Sequence, residues 1–305
     1  MSDLFEDKNI KPMLIGVEGE PFDDSGFIYE LKIDGERCIA YLDPDSGTDL
    51  RNKRNVRMLP KVPELSELHK NVNRRCILDG ELAIITDGKP DFYSIQRRSL
   101  MTGSKKIELE AKQHPATLIA FDILYSENRQ VTHLPLMERK KLLSDAVINE
   151  NARFAVSRVV ESGGTDFFEL VKAQELEGIV AKRRDSRYYF DRRTKDWIKI
   201  KYLKDDDFIV CGYIRKDKNM TSIVLGQYEN GILVCKGHVT LGVSGESLQR
   251  IRKLPTIPNP EFDVPPGNEN AVWVEPRCTC TVQYMNKTEK GGMRQPVFKG
   301  LRLDK

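Results

Sequence analysis

Lysines and carboxylates alternate with apolar residues in three short segments of this chain. Lys32 lies in ELKIDGER, Glu177 opens EGIVAK, and Lys199 and Lys201 share WIKIK. Alternate side chains of a strand point to the same face, so the ammonium groups of Lys199 and Lys201 converge on one space. Two neighbouring cations repel each other, which favours an anion, such as a phosphate, between them.

Phosphoryl or nucleotidyl transfer is the chemistry that needs these residue types together. A lysine attacks phosphorus, cations stabilise the phosphorus centre, and carboxylates hold a magnesium ion. An isolated lysine has a pKa of about 10.4, and nearby cations favour its free amine. The clustering therefore predicts that Lys32 is a nucleophile supported by Lys199 and Lys201.

Each candidate also has a simpler interpretation. Lys32 is equally typical of a solvent-facing residue in a β-hairpin whose turn uses the following Asp-Gly pair. Phe121 in FDIL, taken alone, is typical of a core aromatic residue. Glu81 in DGEL and Glu177, taken alone, are typical of exposed carboxylates at strand ends. Lys182 is either a ligand contact or part of a basic surface, so it stays outside the core assignment.

The segments that must position these residues are predicted to be short strands separated by helices. GFIYELKI, RCIAYL, CILDGELAII, FAVSRVV, GIVAKR and WIKIKY have strand patterns, and ATLIAFDILY is typical of a strand buried on both faces. LMERKKLLSDAVINE predicts a surface helix. GTDFFELVKAQEL predicts another, with Asp166 and Glu169 as a capping box. Without strict β-α alternation, these elements predict an α+β domain of antiparallel or mixed sheets with flanking helices.

The sequence changes character after WIKIKYL. The acidic segment LKDDDF predicts a linker at residues 204–207. Beyond it, FIVCGYIRK, a hairpin turning at Asn230-Gly231, the helix GESLQRIRKL and a final strand in AVWVEPRCTCTVQYM predict a small closed β-barrel of the OB type. We therefore expect one domain at residues 1–203 and an OB-fold domain at 204–305.

Composition is that of an ordinary soluble protein, with 39% hydrophobic and 31% charged residues. No apolar run approaches the roughly 18 residues of a membrane span, and the acidic amino terminus does not resemble a secretory signal. These features predict a cytoplasmic protein without a membrane partner. The six cysteines lack C-x-x-C pairs, which predicts neither a disulfide nor a zinc site.

Charge distribution is more informative than the mild net charge of +3. Residues 181–204 concentrate Lys and Arg with interleaved Tyr and Trp, a mixture that suits phosphate backbones and stacked bases. A solvated charged face is the more common meaning of such a run. Both interpretations stay open at this point.

Six segments, in this order, resemble the covalent nucleotidyltransferases and, among them, the ATP-dependent DNA ligases. The segments are KIDGER, DGEL, FDIL, EGIVAK, WIKIK and the carboxyl-terminal RQPVFKGLRLDK. LPLMERKKLL, EGIVAKRRDSRY and PVFKGLRLDK are most similar to the ligase module of the bacterial ligase D group. The resemblance spans about residue 12 to residue 305 and implies a nucleotidyltransferase (adenylation) domain followed by an OB-fold domain.

The resemblance implies roles in nucleotide binding. Lys32 would attack the α-phosphorus of ATP, release pyrophosphate and carry AMP as a phosphoramidate. Glu30 would accept a hydrogen bond from the adenine amino group, and Phe121 would stack on the adenine ring. Glu81 would bind the ribose hydroxyl. Arg37 and Arg51 would contact the ribose or the DNA 5′-phosphate.

The resemblance also implies residues that would bind a metal ion, neutralise the α-phosphate and orient the pyrophosphate. Glu177, with Glu81, would hold Mg²⁺, with Mn²⁺ as an alternative. Lys199 and Lys201 would neutralise the α-phosphate. The residues that would orient the leaving pyrophosphate are Arg302, Asp304 and Lys305.

The implied reaction seals nicked or broken double-stranded DNA with 3′-hydroxyl and 5′-phosphate ends, in DNA repair or end joining. The implied protein is a monomer in the bacterial cytoplasm, associated with the nucleoid, with a Ku-like end-binding protein as a partner by analogy. Its domains would move between steps about a hinge at 204–207. The alternatives are an RNA ligase or mRNA guanylyltransferase of the same superfamily, or an inactive OB-fold nucleic-acid-binding protein.

Overall fold

The computed structural model describes residues 3–216, 220–287 and 291–302 of the 305-residue chain. The chain divides into two compact units, Met1–Tyr202 and Leu203–Lys305. In the part of the chain that the structure describes, every helix is too short or too polar to cross a membrane.

The first unit contains two sheets with helices around them. Its strands are β1 (Leu14–Glu18), β2 (Phe27–Leu31), β3 (Glu36–Asp43), β4 (Gly47–Asn52), β5 (Cys76–Thr86), β6 (Lys89–Pro90), β7 (Ala116–Ser126), β8 (Arg129–Gln130), β9 (Phe154–Val156), β10 (Gly178–Arg183) and β11 (Arg193–Lys201). Its helices are α1 (Leu4–Asp7), α2 (Phe92–Leu100), α3 (Ser104–Gln113), α4 (Leu136–Ala146) and α5 (Gly164–Ala173).

Most strand pairs in both sheets are antiparallel. The seven-stranded sheet has the order β4-β3-β5-β7-β8, with β6 paired to β5 and β9 paired to β7. The four-stranded sheet has the order β1-β11-β10-β2. The pairs β1–β11 and β7–β9 are parallel. The predicted α+β architecture of mixed sheets with flanking helices is therefore confirmed.

The seven-stranded sheet buries apolar side chains on both faces. One face, with Leu78 and Leu118, packs against helices and loops. The other face, with Ile39 and Ile77, packs against Trp197 of the four-stranded sheet. Burial on both faces was predicted for all of β7, but alternate residues of its first half are only half-buried, so the prediction holds for its second half alone.

Several local predictions for the first unit were wrong or incomplete. Helix α5 begins at Gly164 after a left-handed Gly163, and the Asp166–Glu169 capping box does not form. The amide of Thr165 instead donates to the Asp23 carboxylate at 3.1 Å. Helices α2 and α3 escaped prediction because they bury few apolar side chains, and the FAVSRVV strand is limited to β9.

The second unit is a curled sheet with one helix in its described residues. Its elements are β12 (Lys204–Arg215), β13 (Thr221–Glu229), β14 (Ile232–Val239), α6 (Gly245–Arg252), β15 (Val272–Trp273), β16 (Thr279–Tyr284) and β17 (Val297–Arg302). The six-stranded sheet has the order β14-β13-β12-β16-β17, with β15 paired to β12. A bridge between Leu241, just after β14, and Val297 joins the two edges. This arrangement matches the predicted small barrel.

The hairpin between β13 and β14 turns as predicted. Asn230 and Gly231 have φ angles of 51° and 81°, the left-handed values that a tight hairpin turn requires. The predicted linker at 204–207, however, is wrong. These residues begin β12 and pair with β16, because alternation lets the acidic side chains of Asp205 and Asp207 face solvent. Strand β17 was also missed.

Candidate functional site

Lys32 lies directly after β2, where the chain leaves the four-stranded sheet and enters the seven-stranded sheet. β2 pairs with β10, whereas β3 pairs with β4 and β5, so the hairpin interpretation of Lys32 is wrong. The amide of Lys32 donates to the Gly178 carbonyl oxygen at 2.9 Å, which fixes the start of the crossing. A side chain at Gly35 would collide with the carbonyl oxygen of Leu82, so glycine is required at the end of the crossing.

The ammonium group of Lys32 contacts the carboxylate of Glu177. Nζ and Oε1 lie 2.7 Å apart, and the side chains are 23% and 6% exposed, respectively. Glu177 directly precedes β10, and the β10–β11 ladder holds that strand beside β11. The exposed-carboxylate interpretation of Glu177 is therefore wrong, and the structure brings the predicted nucleophile and a predicted metal ligand together.

Glu81, on β5, lies close enough to Lys32 and Glu177 for their charges to affect its pKa. Burial raises the pKa of Glu81 to about 8, against the opposing cations of Arg37 and Lys32, and the Glu177 carboxylate raises it further. Two neighbouring carboxyl groups are the oxygen donors that Mg²⁺ uses, usually completed by water and substrate phosphates. Within residues 3–216, 220–287 and 291–302, no group of three or more His, Cys, Asp or Glu side chains could by itself hold a metal ion. Glu81 and Glu177 would therefore supply two carboxylate ligands at most, and a metal held there would take its other ligands from water and phosphate.

Lys199 and Lys201 converge as the alternation of β11 predicted. Their Nζ atoms lie 3.0 and 3.6 Å from the same oxygen, Oε2 of Glu18. Glu18 ends β1, which pairs in parallel with β11. Burial alone would raise the pKa of Glu18, but the two lysines hold it below its usual value. The anion between the lysines in this structure is therefore a carboxylate of the chain itself.

A cleft adjoins Lys32 between the two sheets. Its lining residues are Ile15, Glu30, Leu31, Lys32, Ile33, Arg37, Glu81, Phe121, Val180, Lys182 and Trp197. Phe121 is half-buried and meets Trp197 edge-on, with ring centroids 6.1 Å apart. A cleft lined by both apolar and charged side chains suits a base joined to phosphates.

Lys182 is buried inside this cleft. Its Nζ lies 4.4 Å from the ring centroid of Phe121 and 4.3 Å from that of Trp197, and its side chain is 4% exposed. Burial lowers the pKa of Lys182 to about 8, although Glu30 opposes that effect. The interpretation of Lys182 as part of a basic surface is therefore wrong.

Glu30, on β2, is buried between two lysines. Its Oε2 lies 3.2 Å from Nζ of Lys182, and its Oε1 forms a second ion pair with Lys140 of α4. Burial alone would raise the pKa of Glu30, but the two ammonium groups hold it below its usual value. Glu30 is therefore an ionised carboxylate at the wall of the cleft.

Arg37, on β3, is fixed by a buried carboxylate. Its Nε and Nη2 each lie 2.5 Å from an oxygen of Asp79, and the Tyr188 hydroxyl donates to Asp79 at 2.6 Å. The guanidinium carbon lies 4.6 Å from the ring centroid of Phe121. Arg37 thus reaches the cleft from a rigid position.

The remaining predicted residues lie elsewhere. Arg51 is not among the described residues that line the cleft. Its guanidinium pairs with the carboxylate of Asp49, on the same strand, at 3.0 Å. Arg302 ends β17 and pairs with Asp207 within the second unit. Asp304 and Lys305 lie outside the described residues.

Two residues that carry much of the site's charge were not predicted from the sequence. Glu18 was missed because LIGVE was not recognised as a strand, although β1 lies within the span of the resemblance. Lys140 was missed because a lysine on a surface helix normally faces solvent. No local signal distinguishes Lys140 from its neighbour Lys141, so only the packed structure identifies it.

The basic residues of segment 181–204 differ in burial and in their partners. Lys182 is buried, and Arg183 and Arg184 form ion pairs with Asp185 and Glu161. Other basic residues of the segment are exposed; they are Arg187, Arg192, Arg193 and Lys195. Exposed arginines and lysines on one segment are compatible with phosphate contacts.

Two family models match this chain. Residues 18–201 match the family described as ATP dependent DNA ligase domain, and residues 216–305 match the ATP dependent DNA ligase C terminal region. Together the matches include both units of the structure.

Curated relatives extend this likeness over the whole chain. The chain is 28% identical over 295 residues to the SPbeta prophage-derived DNA ligase-like protein LigB of Bacillus subtilis strain 168, covering 96% of this chain and 99% of that protein. It is 29% identical over 318 residues to the multifunctional non-homologous end joining DNA repair protein LigD of Mycobacterium tuberculosis strain H37Rv. That alignment covers 99% of this chain but 40% of the LigD protein.

A solved structure supports the fold. The chain resembles mycobacterial DNA ligase D complexed with ATP and MES, with a TM-score of 0.58 and 27% identity, over 98% of this chain and 96% of that chain. This likeness confirms the predicted fold class, a nucleotidyltransferase domain followed by an OB-fold barrel.

Proposed function

The chain belongs to the family of ATP-dependent DNA ligases, and we propose that it seals DNA through an AMP group carried on Lys32. The enzyme uses ATP and a divalent metal and acts on nicked DNA, as its family does. The observation that supports Lys32 best is its position beside the cleft, 2.7 Å from Glu177 and at a sheet crossing that fixes its backbone.

The first step joins Lys32 to AMP. Nζ loses a proton, which Oε1 of Glu177 lies close enough to accept, and then attacks the α-phosphorus of ATP. A nitrogen–phosphorus bond forms, the bond from the α-phosphorus to the bridging oxygen breaks, and pyrophosphate leaves. The ion pair between Lys32 and Glu177 must open for this attack.

The cleft residues hold the nucleoside. Phe121 stacks on the adenine ring, Glu30 accepts a hydrogen bond from the adenine amino group, and Glu81 binds the ribose hydroxyl. Arg37, held by Asp79, contacts the ribose or a DNA 5′-phosphate. The mixture of apolar and titratable side chains that lines the cleft supports this assignment.

Two lysines and two carboxylates meet the phosphates. Lys199 and Lys201 bind the α-phosphate in place of the Glu18 carboxylate, which carries the same sign of charge. Glu177 and Glu81 would hold Mg²⁺ or Mn²⁺, which would offset the phosphate charge. Mg²⁺ is the ion that we propose for this site.

The later steps use DNA. AMP passes from Lys32 to a DNA 5′-phosphate, and a 3′-hydroxyl then displaces AMP to seal the strand. We assign DNA backbone contacts to the exposed basic residues of segment 181–204, and a contact with the ribose or the 5′-phosphate to Arg51. Arg302, Asp304 and Lys305 act on the leaving pyrophosphate of the first step.

The pathway we propose is DNA repair by end joining, in the bacterial cytoplasm beside the nucleoid. Support comes from the LigD relative, whose name describes a non-homologous end joining protein, although this chain spans 40% of it. We extend the proposal to action as a monomer, with residues 1–203 as the adenylation domain and 204–305 as the OB-fold domain. A Ku-like end-binding protein is the partner that this pathway suggests.

Covalent labelling tests the proposal directly. Protein incubated with Mg²⁺ and α-labelled ATP should acquire label, which pyrophosphate or nicked DNA should then remove. Lys32→Ala should abolish the label, whereas Lys53→Ala, which changes an exposed lysine of the same unit, should not. Label of wild-type amount on the Lys32→Ala protein would refute Lys32 as the nucleophile. Stronger labelling by GTP than by ATP would contradict the assigned donor.

A further inference from the structure

Lys140 lies in the segment LPLMERKKLL, to which no role in the site has been assigned, yet it contacts both residues assigned to the base. Its Nζ forms an ion pair with Glu30 and donates to the carbonyl oxygen of Phe121 at 2.7 Å. We propose that Lys140 is a positioning residue that sets the preference of the site for adenine over guanine nucleotides. This inference rests on the proposed function of the cleft.

The environment of Lys140 is unusual for a helix-surface lysine. Its side chain is 8% exposed, although an ammonium group is stabilised by water and is seldom buried without a partner. Helix α4 directs Lys140 inward because the preceding residue, Arg139, is fully buried in an ion pair with Asp122 of β7. Lys141, the next residue, is exposed and provides a matched comparison within one helical turn.

The two lysines fix the orientation of the Glu30 carboxylate. Lys140 contacts Oε1 and Lys182 contacts Oε2, so each oxygen is held by a different cation. An ionised carboxylate has about four lone-pair sites, so Glu30 can still accept a hydrogen bond from a base. Without Lys140, Lys182 would be the one remaining cation of the described pair on the carboxylate, beside a hydrogen bond from Ser157, and its Nζ lies over the rings of Phe121 and Trp197.

A fixed, ionised carboxylate distinguishes the two purines at position 6. Adenine carries an amino group there and donates a hydrogen bond, whereas guanine carries an oxygen that repels a carboxylate. A site built to receive a donor discriminates strongly against a ligand that cannot supply it. The contact of Lys140 with the Phe121 carbonyl also sets the distance between the stacking ring and Glu30. Lys140 therefore controls both components of base recognition.

The test compares self-labelling of the full chain by α-labelled ATP and α-labelled GTP. We expect Lys140→Met to lower the ATP-to-GTP ratio of kcat/KM at least tenfold, mostly through a higher KM for ATP. Lys140→Arg retains a charged donor and should preserve much of the preference. Lys141→Met should leave the ratio at the wild-type value.

The outcomes separate this inference from the underlying function. A Lys140→Met protein with a lower Tm but an unchanged ratio would show a purely structural role and overturn the proposal, as would equal losses with both nucleotides. If Lys140→Met does not fold, Lys140→Gln, which keeps a neutral donor, decides by the same ratio. Wild-type protein that takes no label from either nucleotide would refute the proposed function itself.

Discussion

Two groups of three charged residues lie in this site. Glu18 lies between Lys199 and Lys201, and Glu30 lies between Lys140 and Lys182. Each group has one carboxylate and two ammonium groups, so each retains an excess of positive charge. A polyanion such as ATP is attracted to that excess, and the carboxylates keep the lysines in place while no ligand is bound.

Glu18 competes with the nucleotide for the two lysines, which leads to a testable gain of affinity. We expect Glu18→Gln to lower the KM for ATP in self-labelling by about two- to fivefold, because a partly exposed ion pair contributes up to about 1 kcal/mol. The measurement is the initial rate of label incorporation against ATP concentration.

The control for this prediction is Glu20→Gln. Glu20 is exposed two residues further along the chain and forms no ion pair with the described residues, so its loss tests the general effect of removing a negative charge. An equal fall in KM for both variants would assign the effect to net charge. A higher KM for Glu18→Gln would mean that Glu18 supports nucleotide binding instead.

At the scale of elements, helix α4 connects the core to the cleft. Arg139 forms a two-pronged ion pair with Asp122 of β7, at 2.8 and 2.9 Å, with both side chains fully buried. Arg139 also donates to the carbonyl oxygens of Leu134 and Ser186. The helix is therefore fixed in rotation, and this rotation directs Lys140 toward Glu30.

Breaking the Arg139–Asp122 pair should destabilise the first unit strongly. Arg139→Met leaves the Asp122 carboxylate buried without its cation, which typically costs about 3–5 kcal/mol. Urea unfolding followed by circular dichroism measures this loss. Lys141→Met, on the exposed side of the same helix, should change the free energy of unfolding by less than about 0.5 kcal/mol. Equal stability of Arg139→Met and the wild type would contradict the role assigned to the pair.

At the scale of the whole molecule, the connection between the units is short. Strand β11 ends at Lys201 and β12 begins at Lys204, so Tyr202 and Leu203 alone lie outside the strands. The hinge that the sequence predicted at 204–207 would disrupt strand pairing with β16. A change in backbone direction at Tyr202 and Leu203 would break no strand pairing.

The carboxyl-terminal residues are proposed to act in the first step only, which predicts a selective defect. Deleting residues 302–305 should reduce self-labelling by ATP by at least tenfold, because the leaving pyrophosphate loses its cationic partners. The sealing of nicked DNA that already carries AMP should remain close to the wild-type rate. Two assays with one preparation, label incorporation and gel-based sealing, measure both steps.

Lys253→Ala, at the exposed end of α6, is the control for this deletion and should leave both steps unchanged. Equal loss of both steps in the deletion variant would contradict a role confined to pyrophosphate release. A lower Tm of the deletion variant would show that the loss of β17 contacts is responsible, since Arg302 ends that strand.

The sequence by itself determined the fold class, the convergence of Lys199 and Lys201, and the hairpin turn at Asn230-Gly231. These features depend on alternation, turn chemistry and motif order, which are properties of short segments. It did not determine the course of the chain after Lys32, because an Asp-Gly pair is compatible both with a hairpin and with a crossing between sheets.

Only the tertiary structure decided which charges meet. Glu18 reaches the two lysines through the pairing of β1 with β11, and Lys140 reaches Glu30 through the docking of α4. Each contact joins residues that are distant in sequence, and its energy comes from burial that exists only after the sheets have packed. Two adjacent lysines such as 140 and 141 therefore look alike in the sequence and differ completely in the fold.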